Sequence, residues 1–236
     1  MLVFSCSHLE KGIVMKTITK FVATIALTVA AFAAPAQAAD TRDLLAHANA
    51  TVTTLRHDSV FGDARHNLRG ARAVLIFPSL VKGGFIFGAE GGDGVLLART
   101  RHGWSSPAFY SMGSASFGFQ AGLQDAQVVM VIMSDRALRA IERSKFKFGA
   151  GAGLTVVTLG AGVEGATSGN FTGDIVVWSK SKGIYGGISV NGSVVAPEDD
   201  TNADFYGRSV GTAEILSNRV SNPASRRLQS NLGAAF

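Results

Sequence analysis

Residues Gly103–Met133 read GWSSPAFYSMGSASFGFQAGLQDAQVVMVIM, and this stretch decides the fold. Trp104 and Pro107 open it, and small residues follow at Ser111, Gly113, Ser114, Ala115 and Ser116. Phe117 and Phe119 stand two apart, the spacing that places both on one face of a strand. The apolar run Val128–Met133 is too short to cross a membrane as a helix and suits a strand buried on both faces. Two neighbouring strands, one one-sided and one fully buried, are expected at the centre of a sheet. None of these side chains is an obvious catalyst.

Upstream of this stretch the period is helical. Leu44, Ala48, Val52 and Leu55 form an apolar stripe. Asp58-Ser59 caps a second helix on which Phe61, Ala64 and Leu68 share a face, and Arg65, His66, Arg69 and Arg72 crowd the rest of that segment. The reading favoured for it is a docked helix with a solvated basic face. From Ala73 the period becomes that of strands. Ala73–Phe77 stops at Pro78, Phe85–Gly88 follows Lys82-Gly83-Gly84, and Gly91-Gly92-Asp93-Gly94 reads as a hairpin turn before Val95–Arg99. His102-Gly103 turns again.

Downstream, Ser134-Asp135 caps a helix carrying Ala137, Leu138 and Ile141. Strands are expected at Phe146–Gly149, Leu154–Leu159, Asp174–Trp178, and Gly186–Val190 running into Ser193–Ala196. Asp199–Arg208 is polar, Val210–Leu216 forms a short helix, and residues 221–236 form a mobile tail. Three pairs, Phe85/Phe87, Phe117/Phe119 and Phe146/Phe148, recur without similar surroundings, so they are recurrent strand chemistry rather than a repeat. The fold class is α+β: a strongly curved, mainly antiparallel, glycine-rich sheet forming a partial barrel, with N-terminal, middle and C-terminal helices.

The chain has 236 residues, 47% of them hydrophobic and 17% charged, with 28 glycines, which suits one globular domain. Lys16 and Lys20 behind Met15, the apolar Phe21–Ala34 and Ala36-Gln37-Ala38 have the order of a cleaved export signal, with Met15 as the working start. The apolar part falls short of the roughly 20 residues a spanning helix needs. Cleavage after Ala38 leaves a domain over 39–220 and lowers the net charge from +5 to +3. It also removes Cys6, the only cysteine, so the remainder has no disulfide or cysteine ligand. The expected location is an exported, oxidising compartment such as a bacterial periplasm.

Enzyme chemistry finds little support. The chain contains no G-x-S-x-G, H-E-x-x-H or G-K-[ST] motif. Gly160–Gly165 matches G-x-G-x-x-G, but a dinucleotide site needs a helix to begin there, and Ala166–Gly173 is turn chemistry. His47, His57, His66 and His102 lack metal-ligand spacing and read as surface residues. No cofactor and no metal are expected, and a mildly basic balance does not suit nucleic acid.

Five segments resemble the SYLF domain family. They are Ala73–Pro78 with Lys82–Phe85; Gly92–Leu97; Trp104–Tyr110 through Gly118–Gly122; Ser179–Gly183 through Gly186-Gly187; and Asn202 with Phe205-Tyr206-Gly207. Their order fits over roughly residues 44–216. Trp178 stands where that pattern has a tyrosine. The resemblance implies binding to anionic phospholipid, aided by an amphipathic N-terminal helix and basic residues. In some fungal relatives it also implies actin binding, which an exported bacterial protein would not meet.

Two basic groupings suit a phosphate. Lys82, Lys180 and Lys182 sit on what read as glycine-flanked loops, where backbone N–H groups can join a lysine around an anion. Arg65, Arg69 and Arg72 offer bidentate forks on the second helix. Phe85, Phe87, Trp104, Phe117 and Phe119 either pack the core or form a wall against an acyl chain. The alternatives are a small outer-membrane β-barrel and a structural envelope protein with no specific lipid ligand. Against the barrel stand the helical N-terminal segment and strands without lipid-out alternation.

Overall fold

The structure, a computed structural model, describes residues 41–84, 87–117, 122–143, 145–149, 153–159, 173–182, 190 and 192–236. The export signal and the G-x-G-x-x-G segment lie outside them. In chain order come α1 (Thr41–His57), α2 (Ser59–Leu68), β1 (Ala73–Gly84), β2 (Phe87–Thr100), β3 (Gly103–Trp104), β4 (Ala108–Phe117) and β5 (Gly122–Ile132). Then follow α3 (Asp135–Arg143), β6 (Phe146–Lys147), β7 (Val156–Leu159), β8 (Ile175–Lys182), β9 (Val194–Pro197), α4 (Asp199–Tyr206), α5 (Thr212–Leu216) and α6 (Arg226–Ala235).

The strands form one curled sheet in the order β6-β9-β4-β2-β1-β5-β8-β7, with β3 beside β2. Its described ladders are antiparallel except β7–β8. The sheet is therefore a mixed half-barrel, and the α+β expectation holds. One feature corrects the reading of the opening stretch. β4 and β5 are not neighbours, because the β1–β2 hairpin lies between them. The fully buried run is nonetheless found where expected: Val128–Ile132 is at most 1% exposed.

Alternation along the strands builds two cores. Ala73, Leu75 and Phe77 face one side with Leu96, Tyr110, Val128, Met130 and Val177, under α3 and α5. Val74 and Ile76 face the other with Val95, Phe109, Val129, Val131 and Trp178, under α1, α2 and α6. Helices on both sides explain why the central strands are apolar on both faces. The stripe of α1 is buried at Leu44, Ala48, Val52 and Leu55. Each leucine buried in this way stabilises by about 1.5–3 kcal/mol. Asp58 caps α2 by accepting from Val60 N at 3.0 Å, and Phe61, Ala64 and Leu68 are fully buried, so α2 is docked. Ser134 Oγ accepts from Ala137 N at 3.2 Å at the start of α3.

Four expectations need correction. β1 does not stop at Pro78 but runs on to Gly84, with a register shift between Phe77 and Leu80. A proline cannot donate to a ladder, and a bulge is where an interior strand tolerates one. Gly91–Gly94 is not a turn; β2 passes straight through it. The glycines there serve close approach. A Cβ on Gly92 would lie 2.2 Å from Ser79 O, and one on Gly94 would lie 2.5 Å from Phe77 Cδ1. Part of the polar stretch Asp199–Arg208 is helix α4, ended by Gly207 at φ +70°, where glycine carries no Cβ penalty.

The last correction concerns the tail. Residues 221–236 are not a mobile tail: Leu228, Leu232 and Ala235 of α6 are buried, and the Phe236 ring packs edge-on to Phe61 and Trp104 at 5.3 and 5.8 Å. Arg226 and Arg227 hid the helix in the sequence, because its apolar positions begin only at Leu228.

Candidate phosphate-binding surface

The three candidate lysines lie on strands rather than loops. Lys82 belongs to β1, and Lys180 and Lys182 to β8. Gly83 and Gly84 fall inside the β1 ladder, and β8 runs on to Lys182, so both strands extend past the ends the sequence suggested. Register then sorts them. Lys180 pairs with Gln127 and Lys182 with Asp125, whereas Lys82 pairs with Gln124 on one side and Glu90 on the other. Since Gln124 and Asp125 are adjacent, positions 180 and 182 belong to one face of the sheet and position 82 to the opposite face. Lys180 is exposed. Asp125, also exposed, accepts a 2.7 Å bond from Ser79 Oγ and brings negative charge into the row of Lys182. Glu90, across from Lys82, is only 8% exposed.

The arginines do not act as one helical face. Arg65 Nη2 donates to Arg56 O at 2.9 Å, and its guanidinium lies 5.9 Å from the Phe61 ring centroid, so it binds α2 to α1. Arg72 lies beyond α2 and pairs with Asp135 at 3.3 Å, both side chains well exposed. Arg69 is exposed. Phe85 and Phe119 lie outside the described residues, and Phe87 and Phe117 are register partners in the β2–β4 ladder. Trp104 is a core residue, 5% exposed, with the Arg99 guanidinium 4.6 Å above its ring. His47, His57, His66 and His102 all lie at exposed positions. Among the described residues, no group of His, Cys, Asp and Glu could hold a metal, and no helix is long and apolar enough to cross a membrane.

Sequence reasoning missed the polar knot around Trp104–Tyr110. Ser105 Oγ accepts from Ala98 N and donates to Ser106 O at 2.9 and 2.8 Å. Ser106 N donates to Asn218 Oδ1 at 2.7 Å, and Asn218 stands at φ +59°. Gln229 of α6 donates to Trp104 O and Ser105 O, and Tyr206 Oη donates to Pro107 O at 2.7 Å. Asn202, fully buried, accepts from Phe109 N at 2.8 Å and donates to Phe109 O at 3.2 Å. Phe205 packs edge-on to Phe109 at 4.9 Å. Two of the five family-like segments therefore dock on each other, and their role is architectural.

Several titratable groups are shifted by these surroundings. Asp174 is held below the usual carboxylate range, first by Ser134 Oγ–H at 2.5 Å and then by Thr155 N–H at 3.0 Å, with Arg136 adding to both. Burial raises Asp93, helped by the nearby Glu198, and raises Glu142 in spite of Arg139 and Arg143. Burial also raises the phenols of Tyr110 and Tyr206.

Residues 113–235 match the family model Ysc84, described as "Las17-binding protein actin regulator". The chain belongs to the SYLF, or Ysc84, family. Protein YSC84 of Saccharomyces cerevisiae is 32% identical over 160 residues, 66% of this chain and 34% of its own. SH3 domain-containing YSC84-like protein 1 of Bos taurus is 30% identical over 161 residues, covering 67% and 47%, and the Homo sapiens protein of that name is 29% identical over the same shares. This SYLF chain thus spans between a third and a half of these curated relatives.

Proposed function

We propose that this SYLF chain is a non-enzymatic, peripheral lipid-binding protein of a bacterial envelope, exported by cleavage after Ala38 and attracted to anionic phospholipid. The observation that carries the reading is that positions 180 and 182 share one face at the C-terminal end of β8, with Lys180 exposed. Two cations at one strand end suit a headgroup phosphate, and the lipid affinity that the family resemblance implies points the same way. Each basic residue at an anionic surface contributes about 1 kcal/mol and is screened by salt. Lys82, at a position on the other face and across from Glu90, contributes little.

Flotation with vesicles of phosphatidylcholine, with and without phosphatidylglycerol, tests this. Binding should require the anionic lipid, weaken with salt, and fall about tenfold or more in Lys180→Ala/Lys182→Ala. Adding Lys82→Ala should change it little further. Equal binding to neutral vesicles sinks the reading. The export element is checked by N-terminal sequencing of the native protein, which should begin at Ala39 or Asp40.

A further inference from the structure

Among the described residues, the first and last helices, α1 and α6, meet along a polar seam. Asn49, Thr53 and Arg56 of α1 and Arg227, Ser230 and Asn231 of α6 line a shallow cleft of about 400 Å³. Asn231 is fully engaged. Its Oδ1 accepts from Arg56 Nη1 at 2.9 Å, and the two N–H donors of its amide are shared among Asn49 O, Asn49 Oδ1 and Thr53 Oγ1 at 3.0–3.1 Å. This web fixes one edge of the Arg56 guanidinium, whose five N–H donors leave others for a second partner. Arg227 precedes Asn231 by four residues and so occupies the same side of α6.

The charge in this cleft is one-sided. Among the described residues no Asp or Glu lines it, and no carboxylate lies within ion-pair distance of Arg56 or Arg227. Two guanidinium groups sharing a cleft repel one another, and an anion between them converts that cost into charge-assisted hydrogen bonds. Arginine forks match tetrahedral oxyanions, and Ser230 adds a hydroxyl donor at the rim.

We propose that the α1–α6 cleft binds a phosphate group, mono- or diester, between Arg56 and Arg227, as a site sharing no residue with the β8 lysines. The site deepens the lipid-binding reading if the phosphate belongs to a headgroup, and stands without it if the phosphate is free. The test uses the full chain with Arg227→Gln and Arg227→Glu. Among the described residues the Arg227 side chain has no hydrogen-bond or ion-pair partner, so both variants should keep the wild-type melting temperature. Arg56→Gln serves as the second variant.

Two probes distinguish the sources: inorganic phosphate followed by calorimetry, and the phosphatidylglycerol-containing vesicles. Arg227→Gln should weaken binding of at least one probe about tenfold, the loss of one bidentate charged contact, and Arg227→Glu more strongly. Loss in the phosphate arm assigns a soluble ligand; loss in the vesicle arm alone assigns a headgroup. Lys180→Ala/Lys182→Ala should leave phosphate binding unchanged. The proposal is overturned if Arg227→Glu binds both probes like wild type, or if wild type binds neither. Failure of the lipid reading looks different: no preference for anionic vesicles, with phosphate binding intact.

Discussion

Asn202 offers a test of the knot that joins α4 to the sheet. It is fully buried, and its side chain serves both backbone groups of Phe109. In Asn202→Ala the carbonyl of Phe109 keeps its bond from Glu198 N at 2.9 Å, but the Phe109 N–H loses its acceptor. An orphaned buried donor costs about 1–3 kcal/mol, and the small void adds about 1 kcal/mol more. The expected loss is therefore about 2–4 kcal/mol, a large part of the 5–15 kcal/mol typical of a domain.

Asn202→Asp separates hydrogen bonding from packing, because it keeps the shape. Its carboxylate can accept from Phe109 N but can donate to Phe109 O only when protonated. The folded-state pKa of this aspartate is then raised above the unfolded value of about 3.9. Its penalty should be full at neutral pH and shrink as pH falls toward the unfolded value. Urea unfolding of wild type, Asn202→Ala and Asn202→Asp at about pH 7 and about pH 4.5 reads both effects. A penalty for Asn202→Asp that does not change with pH, or a cost below about 0.5 kcal/mol for Asn202→Ala, would refute the reasoning.

Asp174, whose carboxyl is held low by Ser134 and Thr155, stabilises the fold above its unfolded pKa and loses that contribution as pH falls through its folded value. Asp174→Asn should thus flatten the decline in stability below about pH 4 relative to wild type; parallel pH profiles would contradict this. Gly92→Ala, which puts a Cβ 2.2 Å from Ser79 O, should cost about 3 kcal/mol or prevent folding, whereas Gly113→Ala, with its nearest atom 4.0 Å away, should melt near wild type. Deleting residues 221–236 should abolish cooperative unfolding, since it strips Leu228, Leu232 and Phe236 from one core; a sharp melt of the truncated chain would contradict that packing.

Much of the fold was legible because burial leaves a period. The stripe of α1, the cap of α2 at Asp58 and the doubly buried Val128–Ile132 are all visible in the sequence. Strand ends were not. Glycine marks a turn and a close backbone contact with the same letter, and only the passage of Ser79 over Gly92 distinguishes them. The C-terminal helix was missed because its apolar face is made by Leu228, Leu232 and Ala235 behind two arginines. The lysines were visible as charges, but their faces depend on register with β5, which no local pattern carries. The α1–α6 cleft joins residues more than 170 positions apart, beyond the reach of any motif.

That last pairing has a consequence in time. The bonds from Asn231 to Asn49 and Thr53, and the Phe236 ring against Phe61, make the final residues of the chain part of the core begun by the first helix. The seam between α1 and α6 closes only once residues 226–236 are present, although α1 already has α2 and the first strands to pack on. Long-range closure is also the slowest kind of folding event. The core on that face is therefore completed late.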